Sequence, residues 1–482
     1  MNEETKKVVT RFAPSPTGMM HVGGIRTALF AYLFAKKNTG TFILRIEDTD
    51  KKREVTGAVE QIMDSLKWLG IEWDFGPDKP SDAFGSCIQS ERLEIYHSYA
   101  RTLLEKGFAY VDPFTEEETE ALRKKAEQEK RPFLYREHRP ENLNTEWSLG
   151  TALRFRVAKV EETHWRDEVR GDLSAGPEAL DDFILIKEDG FPTYNFCHIV
   201  DDIEMEVTHV MRGEEFIAST PKFISLYKAL GKESPHFITL PPVIGETGTK
   251  KLSKRDGAKS VLDYDKEGYA SPALFNFLAF LGFNPGGEKE IFSKEELVSL
   301  FSLERIQKSG AHFNPEKLDW FNKEYIKLMP EKDAIDMMLS FFPEESFTSE
   351  EIKVRVYKMA TVARERAVTL ASYYTDFLSG EYNYLIEDPI YAEVSLVWKK
   401  STEEESKTAL LSLLEIVRKD GDEESMKNNI TILAQKLGNG PVLWPLRAAL
   451  SGKEKSPDPF TLLSVLGREV SLRRLQSAIN SL

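Results

Sequence analysis

The first seventy or so residues alternate in a way that leaves few folds open to the chain. Val8–Arg11 has the pattern of a short strand, and Ala13–Gly18 then places two prolines and a glycine within six residues, which excludes regular structure. Ile25–Lys37 predicts a buried helix, Thr41–Ile46 a second strand, and Val55–Leu69 has apolar residues at helical spacing. Strand, loop, helix, strand, helix is the opening of a parallel α/β domain.

Later segments predict an interruption of that domain and then a change of class. The charged, helix-favouring segment Thr115–Lys130 starts the interruption. Further strands are expected over Thr151–Val157, Phe183–Lys187, Tyr194–Val200 and Thr208–Met211. From about Glu331 the chain is rich in Leu, Ala, Glu, Lys and Arg with helical periodicity. We therefore expect an α/β domain in two halves around an α+β insertion, followed by an all-helical region.

Composition excludes some functions and leaves others open. The densest apolar stretch, Ala273–Phe283, has 11 residues, whereas a membrane-spanning helix needs about 20. The polar N-terminus predicts no signal peptide, so the cytoplasm is the expected compartment. Two cysteines, Cys87 and Cys197, are too few for a four-cysteine zinc site. The net charge of −15 argues weakly against nucleic acid, although phosphate binding depends on where the cations lie.

The segment His21-Val-Gly-Gly24 follows the first strand and its loop. A helix that begins there directs unpaired N–H groups and a partial positive charge toward the loop, and both attract phosphate. Gly23 and Gly24 would let a flat ligand approach the backbone, and His21 can donate a hydrogen bond to a phosphate oxygen. The segment alone is equally consistent with a tightly packed helix start.

A second cationic segment, Lys250–Arg255, lies about 230 residues further along and follows Gly245 and Gly248. Its cations could stabilise charge that develops on a triphosphate, although such a run by itself is more often a solvated loop. The two segments flank an α/β pattern, as a nucleotide site built from two halves requires. The chain has no G-x-x-x-x-G-K-[ST] loop, no H-E-x-x-H motif and no G-x-S-x-G motif.

Longer strings resemble one family. "RFAPSPTG", "LRIEDTD", "PTYNF" and "KLSKRDGA" occur in the order found in bacterial glutamyl-tRNA synthetases, which are class I aminoacyl-tRNA synthetases. "GYASPALFNFLAFLGFNPG" and "GPVLWPLRAALSGKE" extend the resemblance over nearly the whole chain. The resemblance implies ATP-dependent formation of glutamyl-adenylate, transfer of glutamate to the 3′ end of tRNA(Glu), and release of AMP and pyrophosphate.

The resemblance also assigns roles to residues. It implies His21 and Lys254 as catalytic, and ATP binding by His21, Gly23, Gly24, Lys251, Ser253, Lys254 and Arg255. It implies glutamate binding by Arg11, Ala13, Ser15, Glu47, Tyr194, His198 and Arg212. Arginine suits a diacid because its planar fork binds a carboxylate through two hydrogen bonds. From the residues alone, Arg212 and Glu47 could equally form structural ion pairs, and Tyr194 could be part of the core.

The resemblance implies a domain plan. The Rossmann-type catalytic domain would comprise residues 1–110 and 191–235, with a tRNA acceptor-binding insertion at 111–190. A stem-contact region would follow at 236–330, and a helical anticodon-binding region at 331–482. Arg364 and Arg366 are candidates for reading the anticodon, because arginine contacts base edges and stacks on bases.

Two departures from the family pattern affect the predictions. Gly24 stands where the class motif has a second histidine, so His21 would serve alone. Tyr110–Phe114 has no cysteine where some bacterial relatives carry zinc ligands, so we predict no structural zinc. Mg²⁺ would accompany ATP, and a monomer is the family default.

Other activities compete with this interpretation. A non-discriminating enzyme would also charge tRNA(Gln). A glutamyl-queuosine tRNA(Asp) synthetase would lack the helical region after Glu331. A small-metabolite nucleotidyltransferase of the same superfamily would bind ATP but would not need that region. An inactive paralogue would retain tRNA binding only, and the intact His21, Lys254, Arg11 and Glu47 speak against it.

Overall fold

The structure is a computed structural model that describes residues 7–245, 259–391, 394–419 and 421–482. The chain forms two compact units, Met1–Asn322 and Lys323–Leu482. The predicted cationic segment Lys250–Arg255 lies outside the described residues.

The described part of the first unit combines strands and helices. Its strands are β1 (Val9–Phe12), β2 (Thr41–Leu44), β3 (Ala109–Val111), β4 (Leu153–Phe155), β5 (Thr163–Asp167), β6 (Gly171–Ala175), β7 (Ile184–Ile186), β8 (His209–Gly213), β9 (His236–Leu240), β10 (Val243–Ile244) and β11 (Ala311–His312). Its helices are α1 (Val22–Lys37), α2 (Ala58–Trp68), α3 (Leu93–Glu105), α4 (Glu116–Gln128), α5 (Tyr194–Glu204), α6 (Thr220–Leu230), α7 (Val261–Lys266), α8 (Ser271–Phe280) and α9 (Lys294–Leu300). Helix α10 (Pro315–Leu328) spans the boundary between the units.

A six-stranded sheet with the order β2-β1-β8-β9-β5-β6 forms the frame of this unit. Every neighbouring pair from β2 to β5 is parallel, and only β6 runs antiparallel to its neighbour. Parallel strands need a crossover, and α1 supplies the one between β1 and β2. All four residues of β2 are buried, as expected for a strand covered on both faces. The predicted α/β class is confirmed.

The interruption of the α/β domain is less continuous than the sequence suggested. Strands β3, β4 and β7 form a separate antiparallel sheet, but β5 and β6, also within residues 111–190, belong to the large sheet. Asp167 of β5 pairs with Phe237 of β9. The β5 segment reads THWRD, with too few apolar residues to indicate membership of a buried sheet.

The prediction of a strand over Tyr194–Val200 is wrong. These residues begin helix α5, which continues to Glu204. All residues from Phe196 to Asp202 are buried, so this part of the helix is enclosed on every side. The segment Tyr194–Val200 spans less than two helical turns, and a mostly apolar run of that length cannot be distinguished from a buried strand by periodicity.

The described part of the second unit contains helices and no β-strand. After α10 it has α11 (Glu331–Leu339), α12 (Glu350–Arg364), α13 (Ser372–Leu378), α14 (Glu403–Lys419), α15 (Glu423–Leu437), α16 (Asn439–Ser451) and α17 (Pro459–Ser481). Apolar faces of these helices share one core that includes Val356, Leu413 and Leu446. The predicted all-helical C-terminal region is confirmed.

Candidate active site

A cavity of about 520 Å³ opens where β1 passes into α1. Nine of the residues singled out from the sequence line it: Arg11, Ala13, Ser15, His21, Gly23, Gly24, Glu47, Tyr194 and Arg212. They come from the ends of β1 and β8, from the segment after β2, and from the starts of α1 and α5. In an open parallel sheet, ligands bind outside the carboxyl ends of the strands. The topology therefore brings together residues that are up to about 200 positions apart.

His21 caps the first turn of α1. Its Nδ1 accepts a hydrogen bond from the backbone N–H of Gly23 at 3.1 Å, which leaves Nε2 to carry the proton of the neutral ring. The cap turns the imidazole back over the helix N-terminus, where N–H groups point toward the cavity. The start of α1 therefore presents hydrogen-bond donors and a helix dipole to an anion.

The two glycines of this turn lie close to neighbouring side chains. A Cβ atom on Gly23 would lie 3.1 Å from the His21 ring, and one on Gly24 would lie 2.9 Å from the sulfur of Met20. Met20 is buried and lines the same cavity. A side chain at position 24 would therefore require the Met20 side chain to shift.

Buried charges support two residues of the cavity wall. Arg11 binds Asp202 through Nε at 3.1 Å and Nη2 at 3.4 Å. Arg45 donates from Nη1 to Asp202 at 2.7 Å and from Nη2 to Glu47 at 3.1 Å. Asp202 and Arg45 do not line the cavity, but they hold two residues that do. Burial works against the ionised form of Asp202, yet Arg11 and Arg45 outweigh it and lower the pKa of this carboxyl to about 2.

The carboxyl group of Glu47 has a pKa close to neutral pH. Burial raises the pKa of its carboxyl from 4.5 to about 7, although Arg45 and Arg11 oppose the rise. A carboxylate in this position is a ready partner for an ammonium group, because an added cation would favour the ionised form.

Arg212 is a buried cation with an incomplete set of partners. Its Nη2 donates to Thr220 Oγ1 at 2.7 Å, and its guanidinium lies 4.6 Å from the centre of the Phe237 ring and 5.0 Å from that of Phe223. It forms no ion pair within the described part of the chain. Burial lowers its pKa from 12.5 to about 10. A buried cation of this kind is costly unless an anion joins it.

Tyr194 lines the cavity, whereas His198 lies behind it. The two rings stack at 4.6 Å, and the Nδ1 of His198 is 2.5 Å from the carbonyl oxygen of Tyr194. His198 does not line the cavity, so the expectation that it faces the substrate needs correction: one helical turn below Tyr194, it supports that ring. Burial lowers the pKa of His198 from 6.5 to about 3, which keeps the imidazole neutral.

Four charged residues at or behind the cavity were not predicted from the sequence: Asp202, Arg45, Arg26 and Glu215. Asp202 and Arg45 were hidden because their role depends on pairing between distant segments. Arg26 lines the cavity from α1 and donates to the carbonyl oxygens of Pro241 and Leu281. The "VDDIE" string gave one available signal, since two adjacent acids in an apolar run are buried only when cations meet them.

Four predicted ATP-binding residues, Lys251, Ser253, Lys254 and Arg255, lie outside the described residues. The described chain on both sides of that segment reaches the cavity. Val243 lines it on one side, and on the other Ser260 forms a β-bridge with His21. The described residues Val243 and Ser260, on either side of segment 246–258, therefore lie at or beside the cavity.

The anticodon candidates lie in the second unit. Arg364 ends α12 and donates to the carbonyl oxygens of Ile326, Lys327 and Met329 at 2.6 to 3.3 Å. These bonds cap the C-terminal end of α10. Arg366 approaches the hydroxyl of Tyr382 at 3.4 Å.

Within the described ranges no helix is long and apolar enough to cross a membrane. The same residues contain no cluster of three or more His, Cys, Asp or Glu that could hold a metal ion.

Comparisons with known proteins agree with this geometry. Residues 7–320 match the family model of "tRNA synthetases class I (E and Q), catalytic domain", and residues 332–479 match "Anticodon binding domain". A glutamate–tRNA ligase of Clostridium botulinum is 40% identical, with 99% of each chain covered. One from Carboxydothermus hydrogenoformans is 40% identical over 98% of this chain and 100% of its own. The crystal structure of a glutamate tRNA ligase from Elizabethkingia meningosepticum, in complex with its amino acid, is 34% identical, covers 99% of this chain and 100% of its own, and has a TM-score of 0.87.

Proposed function

The chain belongs to the class I tRNA synthetases for glutamate and glutamine, and we propose that its cavity binds glutamate and ATP side by side. The activity is that of a glutamate–tRNA ligase. The observation that carries this proposal is that two kinds of group line one cavity: the charged side chains of Arg11, Glu47 and Arg212, and the N-terminus of α1 with His21.

The charged side chains suit glutamate in preference to glutamine. Arg11 and Arg45 share the carboxylates of Asp202 and Glu47, whereas Arg212 forms no ion pair among the described residues. Glutamate brings two carboxylates and one ammonium group, so Arg11 and Arg212 would each receive a carboxylate and Glu47 would bind the ammonium. Glutamine has one carboxylate fewer and would leave a buried arginine without an anion, which a dry site penalises strongly.

The backbone and hydroxyl groups complete the pocket. Ala13 and Ser15 lie on the loop after β1, and Tyr194 closes the wall with a hydroxyl that can donate to the substrate. Burial raises the pKa of Tyr194, so this hydroxyl keeps its proton.

The start of α1 suits the nucleotide. Gly23 and Gly24 allow the adenine and ribose to approach the backbone of α1, and His21 would donate from Nε2 to a phosphate oxygen. By resemblance, Lys251, Ser253, Lys254 and Arg255 would complete the phosphate site from segment 246–258. In the described residues no carboxylate cage for a divalent ion is present. Mg²⁺ would accordingly be held mainly by the phosphates and by water, as is usual for this ion, and would offset their negative charge.

The chemistry needs positioning more than proton transfer. An oxygen of the glutamate α-carboxylate attacks the α-phosphorus of ATP, a P–O bond forms, and the bond to the departing pyrophosphate breaks. A terminal ribose hydroxyl of tRNA then attacks the carbonyl carbon of the adenylate, and AMP leaves. The protein contributes alignment of the reacting atoms and stabilisation of charge on phosphate. By family resemblance, bound tRNA is needed even for the first step.

The second unit would bind the anticodon. The rings of Trp398 and Trp444 lie 5.5 Å apart, and the guanidinium of Arg447 lies 4.8 Å from the centre of the Trp444 ring. Aromatic rings and arginine planes of this kind are what single-stranded bases stack on. This cluster supports base stacking more directly than Arg364, whose donors are engaged with backbone carbonyls. Arg364 and Arg366 remain candidates.

Charging assays test the function and its alternatives. Aminoacylation with [¹⁴C]glutamate on purified tRNA(Glu) and on purified tRNA(Gln) distinguishes an enzyme restricted to tRNA(Glu) from a non-discriminating one. ATP–pyrophosphate exchange with and without tRNA tests the rivals, because a small-metabolite nucleotidyltransferase would not depend on tRNA. An inactive paralogue would give no exchange under either condition. The cytoplasm and a monomeric state are the expected setting for this reaction.

A further inference from the structure

A layer of buried charges lies behind the proposed glutamate-binding residues of the cavity and does not line it. Asp202 and Arg45 are its centre, with side chains 2% and 0% exposed. They come from different segments, α5 and the residue after β2. Enclosing these charges costs free energy that is recovered only if each has good partners.

The bonds in this layer run from one cavity residue to another. Asp202 accepts two hydrogen bonds from Arg11 and one from Arg45, and Arg45 also donates a hydrogen bond to Glu47. Arg11 and Glu47 line the cavity at the two ends of this series. The bidentate grip uses one edge of the Arg11 guanidinium and so fixes the plane of the group.

We propose that Asp202 and Arg45 are positioning residues for the amino acid substrate: Asp202 orients Arg11 toward a carboxylate, and Arg45 keeps Glu47 oriented and ionised for the ammonium group. This inference rests on the proposed roles of Arg11 and Glu47. Asp202 also shares Arg45 with Glu47 and binds Arg11, so Glu47 is not the only carboxylate that balances these two arginines.

The neighbouring acid offers a matched control. Asp201 precedes Asp202 on helix α5 and is equally buried. Its hydrogen-bond partners, however, are Arg92 at 2.8 Å, Gln89 at 2.8 Å and Tyr96 at 2.9 Å. None of these three lines the cavity. Its approach to Arg45 is longer, 3.6 Å from Nε. Asp201 therefore stabilises the fold, whereas Asp202 orients Arg11, which lines the cavity.

The experiment compares Asp202→Asn with Asp201→Asn in the full-length enzyme. With tRNA(Glu) saturating, the KM for glutamate should rise about ten-fold or more in Asp202→Asn, because a charged hydrogen bond that orients Arg11 is lost. The KM for ATP should stay within about two-fold, since His21 and the start of α1 are untouched. Asp201→Asn should lower the midpoint of thermal unfolding and leave the KM for glutamate nearly unchanged. Should Asp201→Asn fail to fold, Tyr96→Phe removes a single hydroxyl from the same partner set.

The pH profile supplies a readout that a purely structural role would not move. The charged and titratable groups that face Glu47 are Arg45, Arg11, Asp202, Tyr194 and Cys197. Asp202 raises the pKa of Glu47, and Arg45 lowers it. The acid limb of kcat/KM for glutamate should therefore move to lower pH in Asp202→Asn and to higher pH in Arg45→Gln.

Two results separate this proposal from the function on which it rests. If wild-type enzyme does not charge tRNA(Glu) with glutamate, the assigned function fails, whatever the variants do. If the wild type charges tRNA(Glu) and folded Asp202→Asn has a KM for glutamate and an acid limb like those of the wild type, the positioning role is refuted.

Discussion

Replacing Arg212 with methionine should separate activity from stability. Methionine has a similar reach, so Arg212→Met removes the charge and retains most of the packing against Phe223 and Phe237. Thr220 loses one partner but still donates to the carbonyl oxygen of Phe216 at 3.0 Å. The substitution therefore changes little apart from removing the positive charge of Arg212.

The expected changes in stability and in kcat/KM both follow from the burial of Arg212. Burial lowers the pKa of Arg212 from 12.5 to about 10, which corresponds to about 3 kcal/mol of strain on the charged form in the folded state. Its removal should leave the unfolding midpoint unchanged or raise it. In the complex, a substrate carboxylate would lose its buried partner, which costs about 3–5 kcal/mol. That is a loss of at least about 100-fold in kcat/KM for glutamate, since 1.4 kcal/mol is ten-fold.

The assay pairs steady-state aminoacylation with thermal unfolding of the same preparations. Arg474→Met is the matched control, because Arg474 is also buried but donates to the carbonyl oxygens of Leu450 and Glu387 at 2.6 and 2.7 Å. It should lose stability and keep its KM for glutamate. Unfolding of Arg212→Met at a lower temperature than wild type, or a fall of less than about three-fold in its kcat/KM for glutamate, would refute this role of Arg212.

Three further perturbations test other parts of the interpretation. Lys254→Ala should lower the single-turnover rate of adenylate formation about 100-fold with little change in glutamate binding, because a cation that stabilises phosphate charge is lost; an unchanged rate would remove Lys254 from the chemistry. His198 has its pKa lowered from 6.5 to about 3, so unfolding takes up a proton as the pH falls below 6.5 and stability decreases in that direction. Urea unfolding at pH 7 and pH 5 should show a loss that is about 2 kcal/mol smaller in His198→Asn than in wild type, and equal losses would contradict a buried neutral imidazole. Prolonged chelation followed by Mg²⁺ alone should restore full tRNA charging, whereas a loss that only zinc reverses would overturn the prediction of an insertion without zinc.

Local pattern was a good guide wherever one segment determines its own conformation. The strand at Val8–Arg11, the proline-rich loop and the helix that follows were each predicted within a few residues of β1 and α1. Such elements depend on periodicity, turn residues and capping, which are all short-range properties. The motifs resembling those of known synthetases include part of the cavity wall for the same reason, since each string is contiguous.

Long-range pairing could not be predicted in this way. The prediction of a strand over Tyr194–Val200 is wrong because a run shorter than two helical turns does not show its period, and the residues Thr163–Asp167 give no sign that they join β9. Asp202 is another case: its importance arises from two arginines that lie far away in the chain.

The amino-acid sequence by itself determined the class of each domain, the family, and nine of the residues that line the cavity. Only the tertiary structure decided how those residues are charged and held: Glu47 near neutrality, Arg212 without an anion among the described residues, and His198 behind Tyr194 instead of beside the substrate. The physical reason is that burial and electrostatic pairing are properties of neighbours in space, and a chain's neighbours in space are set by its topology.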